Sequence, residues 1–195
     1  GFEALKTNAS SSQNTAIGVY SLKVNTAANN TGVGYGALTA NTTGSANVAV
    51  GKDALDTNTT GDNNVSIGVD SLDANTTGGN NVAIGFQALA TNTTASNNVS
   101  VGYNSLLSNT TGTDNVAVGA TALDANTTGS ENTAIGDNAL GANTTAANNT
   151  AVGSSALLVN TTGAGNTALG RKTLLDSTTG DYNTAIGISA LENNT

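Results

Sequence analysis

Apolar and polar residues recur along this chain with a period of 17. Twelve glycines mark the repeats, from Gly1, Gly18 and Gly34 to Gly170 and Gly187. Every step between them is 17 residues except Gly18 to Gly34, which is 16. A leucine lies four residues after each, from Leu5 to Leu191. With the glycine as position 1, the unit reads Gly-x-x-Ala/Ser-Leu-x-x-Asn-Thr-Thr-Gly-x-x-Asn-Thr/Val-Ala/Ser-Ile/Val, and Gly51 to Ile67 is a clean copy. Position 17 is always aliphatic, position 15 is Thr or Val, and the residue between them is small. β-branched residues in alternate places predict a short strand over positions 14–17, with 15 and 17 turned inward.

A second short strand is expected over positions 3–6, with Leu inward. Glycine at position 1 permits a tight corner, and Asn-Thr-Thr-Gly at 8–11 is turn chemistry. A helix is excluded because Gly, Asn and Thr are weak helix formers and no apolar residue recurs at helical spacing. Each coil then offers about two inward large aliphatics, too few to hide from water alone. Stacking coils at about 4.8 Å buries them. The predicted fold is all-β: a parallel β-solenoid, or β-roll, of about twelve 17-residue coils with two short strands per coil. Its length would be on the order of 55 Å. The repeat covers residues 1–195 as a single domain without a linker.

Asparagine is the second regularity. Position 14 is Asn in every full repeat, from Asn14 and Asn30 to Asn183, and position 8 is Asn everywhere except Ser177. Stacked carboxamides are expected to bond along the rod as ladders and to satisfy turn carbonyls. The short second repeat, Gly18 to Val33, is expected to lose its residue from the corner around Thr26 to Asn29.

The remaining chemistry is sparse. The chain has no His, Cys, Pro, Met or Trp, which removes the common nucleophile–base pairs, soft metal sites and disulfides. Asp53 and Asp70 share position 3 in adjacent coils, and Asp56 and Asp73 share position 6. Such pairs suit a hard cation weakly, but the Gly-Gly-x-Gly-x-Asp pattern of calcium-binding solenoids is missing. They read as solvated surface charge. The glycines punctuate corners, and no helix follows to offer its N-terminus to a phosphate. No residue is therefore nominated as catalytic, cofactor-binding or metal-binding, and no enzyme is expected. A net charge of −8 argues against nucleic acid and anionic membrane surfaces. No apolar run has the length of a membrane-spanning helix.

Asn-Thr-Ala-Ile-Gly at 14–18, 132–136 and 183–187, and Asn-Val-Ala-Ile-Gly at 81–85, resemble the head repeats of trimeric autotransporter adhesins, which form left-handed parallel β-rolls. The longer unit, Asn-Thr-Ala-Ile-Gly-x-x-Ala-Leu-x-x-Asn-Thr-Thr-Gly, resembles the repeat arrays of phage tail fibres and related bacterial surface proteins. This resemblance covers the whole chain. It implies rolls lying side by side as a homotrimer or filament, at a cell surface or virion or otherwise extracellular. It also implies a cell-surface or glycan receptor reached through flanking regions. On it, the small column at position 16 (Ala16, Ala49, Ala83, Ala117) is expected to pack between chains. Leucines at position 6 (Leu107, Leu158, Leu175) are expected to be exposed. The adhesin coil is shorter than 17, so the Asn-Thr-Thr-Gly corner should protrude.

The functional expectation is a structural repeat segment of an extracellular fibre that assembles side by side or end to end and supports attachment. The chain starts in phase with a repeat and stops at position 9 of its last coil, uncapped, which reads as a segment of a longer fibrous chain. One alternative is an ice-binding solenoid using Thr columns 9 and 10, such as Thr42 with Thr43 and Thr59 with Thr60. Another is a filament subunit that joins through its open edges. Asn-x-Thr sequons recur from Asn41 to Asn160 and read as a by-product of the turn tetrapeptide.

Overall fold

A computed structural model describes residues 1–193. Eleven strands of three residues each, from β1 (Thr15–Ile17) to β11 (Thr184–Ile186), lie side by side in one parallel sheet in chain order. Like positions pair: Val65 lies beside Val82, Ser66 beside Ala83 and Ile67 beside Ile84. No helix occurs among the described residues. The fold is the parallel β-solenoid that the period predicts.

The short second coil stays in register, with Thr15 beside Thr31. The Ala27 carbonyl accepts from the side chains of Asn25 and Asn14, the role position 11 plays elsewhere. The missing residue is therefore position 10. Elsewhere that residue sits exposed at the corner, as in Thr43, Thr60 and Thr77, so the coil closes with or without it.

Each coil has one strand, not the two expected. The segment after each glycine is a succession of turns. In the coil from Gly51, Asp53 and Leu55 both adopt left-handed backbone, with φ of 52° and 54°. The physical reason is that positions 4 and 5 both face inward: Ala54 and Leu55 are fully buried, as are Ser71 and Leu72. Consecutive residues of an extended strand point to opposite faces, so a strand cannot bury both. A left-handed non-glycine residue costs about 1–2 kcal/mol. Full burial of a leucine contributes about 1.5–3 kcal/mol, enough to offset its own strain. The turns also keep their hydrogen bonds. The Asp53 N–H donates to the Tyr35 carbonyl of the preceding coil, and the Leu55 N–H to the Ser71 carbonyl of the following one.

The strand is also turned the other way round. Its middle residue faces inward: Ala49, Ser66, Ala83 and Ala117 are fully buried. Positions 15 and 17 face outward and remain partly exposed. Each coil thus buries one large aliphatic, not two. The expected packing of Ala49, Ala83 and Ala117 between chains is likewise overturned, because that column lines the core. Ala16, in the first coil, is half-buried against the same core. Opposite position 4 the interior leaves little room at position 16. A Cβ on Gly32 would lie 2.5 Å from Ser21 Oγ, and that hydroxyl donates to the Gly32 carbonyl at 2.9 Å. Glycine at position 1 is required twice over. Gly68 has φ of +138°, and a Cβ there would stand 2.3 Å from the Gly85 carbonyl oxygen.

Both asparagine columns form buried ladders. At position 8, Asn58 Nδ2 donates to Asn41 Oδ1 and Asn75 Nδ2 to Asn58 Oδ1, each at 2.8 Å. The same amide donates to the position-11 carbonyl of its own coil, as Asn58 does to Gly61 at 3.0 Å. At position 14, Asn47 Oδ1 accepts the backbone N–H of Asn64 at 2.9 Å, and Asn47 Nδ2 donates to the Gly61 carbonyl at 2.8 Å. Gly61 thus ties both columns together.

Ser177 interrupts the first ladder. Asn160 Oδ1 and Ser177 Oγ are both buried without a partner, because a serine hydroxyl is too short to replace the amide. Asn194, the next position-8 residue, lies outside the described residues. Ser177→Asn should raise stability by about 1–2 kcal/mol, the scale of an unmet buried polar group. Urea unfolding would show it as a higher midpoint at unchanged slope. An unchanged or lowered midpoint would refute the ladder at this rung.

Candidate interaction surface

The outward strand residues build the most distinctive surface of the rod. Stacking places position 15 (Thr or Val) and position 17 (Ile, Val or Leu) in two straight columns on the outside of the sheet. None of the five bases and thirteen acids stands in either column. Ile67, Ile84, Ile135 and Leu169 are each 36–42% exposed, against zero for the leucines of the core. One corner further, position 2 adds Phe2, Tyr35, Val69, Phe86, Tyr103 and Ile188, all exposed. The rings of Phe86 and Tyr103 stack with centroids 5.6 Å apart, and Tyr20 meets both Phe2 and Tyr35 edge-on at 5.8 Å.

These three columns run side by side along the rod as one face, apolar except for the threonines of position 15 and for Lys52, Asp137, Ser154 and Arg171 of position 2. At about 4.8 Å per rung and 3.3 Å per residue it measures roughly 53 Å by 15 Å, or about 800 Å². Monomeric proteins seldom expose contiguous apolar patches beyond about 300–600 Å². The outside of a solvated sheet is normally polar, and this one carries aliphatics and threonines with no charge.

No family model, curated protein or solved structure matches the chain. The likeness to adhesin heads and tail-fibre arrays therefore rests on the repeat strings alone. The repeat solenoid itself rests on the structure.

The other sequence-derived candidates fall as follows. Threonine column 9 is engaged with the backbone: Thr59 Oγ1 donates to the Thr76 carbonyl and Thr76 Oγ1 to the Thr93 carbonyl, each at 3.0 Å. Column 10 stands exposed by itself at the corner, so the two columns do not make a flat paired array. The sequon asparagines, Asn41 to Asn160, are fully buried, with their amides spent on the ladder. Folded coils offer no acceptor nitrogen there. Leu107, Leu158 and Leu175 are half-buried rather than exposed.

The acidic pairs do converge. Lys52 Nζ bonds Asp53 and lies 3.9 Å from Asp70. Burial, first, raises the pKa of Asp56 above the usual aspartate range. Burial also raises Asp73, with the charges of Asp56, Asp70 and Asp53 adding to it. Asp124, at position 6 of a later coil, is raised by burial as well. Among the described residues, no three His, Cys, Asp or Glu are grouped to hold a metal, no pocket occurs, and no helix is long and apolar enough to cross a membrane.

Sequence reasoning missed the outward face, although a signal was present. Position 4 is Ala, Ser or Thr in every coil, and two small columns at 4 and 16 can only face each other across a thin interior.

The three raised aspartates set the pH response. Their folded pKa lies above the unfolded value, so the folded state holds these protons more tightly. The stability they add is complete below the unfolded aspartate pKa and is lost as pH rises through the folded one. Glu3, held low chiefly by hydrogen bonds from Lys23 and then Lys6, works in the opposite sense from the solvent-screened surface. Acidifying from pH 7 toward 4.5 should therefore raise the thermal midpoint. D56N/D73N should raise it at pH 7 and flatten its rise with acid. A midpoint that falls on mild acidification would contradict the burial of position 6.

Proposed function

We propose that this chain is a structural repeat segment of an extracellular fibre, whose rods assemble side by side through the face formed by positions 15, 17 and 2. The observation that carries it is the face itself, whose two strand columns are free of charge over eleven rungs. An area of about 800 Å² per copy equals one partner's share of a standard specific interface. Left in water, such a face costs solubility, while a second identical face removes both from solvent. The invariant repeat suits the role, since a rod of like rungs reaches and holds without needing a reacting group. Attachment to a cell surface or glycan would then be the task of flanking regions, and the segment has no catalytic part. The β-roll-like strings Asn-Thr-Ala-Ile-Gly and Asn-Val-Ala-Ile-Gly favour the same reading.

One strand provides the test. Val82 and Ile84 face outward, and Ala83 between them faces the core. V82K/I84K should leave the chain folded, within about 0.5 kcal/mol as for other surface changes, and reduce its mass by light scattering to that of one copy. A83E should instead unfold at least the neighbouring coils, because it buries an unpaired charge. If V82K/I84K keeps the assembled mass, or the parent chain is a stable monomer at high concentration, lateral assembly is wrong. Thermal hysteresis on that monomer would then decide for ice binding.

A further inference from the structure

We infer that two copies pack face to face with their rods antiparallel, on a two-fold axis lying between the rungs of Phe86 and Tyr103. This rests on the lateral assembly proposed above and names its partner and register. Two identical elongated faces can be related by an axis along the rod or by one along the strands. An axis along the rod sets position 2 of one copy against position 15 of the other. An axis along the strands reverses the rods and sets position 2 against position 2. Position 2 is the one column of the face that carries charge, at Lys52, Asp137 and Arg171.

These charges select the register. Lys52 lies two rungs before Phe86, and Asp137 two rungs after Tyr103. Setting Lys52 of each copy opposite Asp137 of the other fixes the axis midway between the two aromatic rungs. Phe86 then meets Tyr103 at the centre, twice over by symmetry. Pairing Arg171 with Asp137 instead would move the axis to Ser154. That would leave the aromatic half of the face uncovered and Lys52 facing nothing. Lys52 is available for the contact, since its side chain stays 59% exposed while bonding Asp53 within its own chain. Opposite charges brought together at an interface set register more than affinity. The arrangement differs from the parallel three-chain packing implied by the adhesin-like strings.

The absence of cysteine makes the test clean. K52C and D137C are prepared separately, mixed and oxidised, and disulfide-linked pairs are read by mass. The antiparallel register predicts linked K52C–D137C pairs in at least tenfold excess over those from K52C or D137C alone. Equal linking in all three samples overturns it. So does no linking in any of them while light scattering still reports assembly, and lateral assembly then survives in another register. A monomer under all conditions overturns both. Charge exchange gives a second readout without cysteine. K52D and D137K should each weaken self-association about tenfold, and K52D/D137K should restore it. A double variant as weak as either single one overturns the pairing.

Discussion

From the coil of Asn25 and Asn30 to that of Asn160 and Asn166, each coil encloses two asparagines, and their carboxamides have no water to turn to. A buried amide that finds no partner costs on the order of 1–3 kcal/mol, so two per coil would dissolve the stack. Repetition supplies the partners. Each Asn of position 14 caps the backbone N–H of its successor, as Asn47 does for Asn64, and from Asn41 to Asn160 each Asn of position 8 donates to its predecessor. Both columns converge on the position-11 carbonyl. One coil alone satisfies only part of this set. The coils therefore hold each other in register by polar bonds, and the thin strip of Leu, Ala and Ser beside them supplies the apolar part of the core.

That constraint explains which features of the fold were legible in the sequence. The period, the corner glycine and the two asparagine columns were legible because each has a rung-to-rung partner of its own kind, so a coil that lacks it, as at Ser177, leaves its neighbour unpaired. The missing residue of the second coil was placed near Thr26 to Asn29, and the structure narrows it to position 10, the one corner residue outside the ladders. The facing of the strand was misread. Alternation of large Thr/Val and Ile/Val with small Ala/Ser usually means that the large residues point inward, because water lies outside. Here the asparagines and Leu55-like residues already fill the interior, and only Ala, Ser or Gly fits at position 16. The second strand was misread for a related reason. Ala54 and Leu55 both had to face the core, and left-handed backbone at Leu55 achieves what an extended strand cannot.

The same narrowness produces the interaction face. A coil of 17 residues that commits its interior to amides, one leucine and small side chains must carry its remaining aliphatics on the outside. The sheet makes the best place for them, since it is the one straight part of the coil and its β-branched residues pack well along neighbouring strands. An exposed column of Ile and Val is thus consistent with local strand stability as well as with assembly. The absence of charge over so many rungs is what local stability alone does not require. Lysine or glutamate at occasional outward positions would cost the strand little and would keep the face from pairing.

Inside the coil, each position is fixed by its copy above and below, which leaves little freedom to encode anything rung by rung. Outside, positions 2, 3, 6, 12 and 13 vary because a change there disturbs no ladder. Even these columns bond locally where they can: Asp62 accepts from the Ser45 N–H, and Asp181 from the Ala164 N–H. A rod of this design is uniform in its construction and individual only in its outer columns. Two such rods could slide past one another by a whole rung at little cost if only positions 15 and 17 met, because every rung there offers the same contact. Register must then come from a column that differs from rung to rung and lies on the face. Position 2 meets both conditions, with aromatics at Phe2 and Tyr35 and again at Phe86 and Tyr103, and its few charges at Lys52, Asp137 and Arg171. Its variability is therefore the feature that can turn a sticky surface into a specific one.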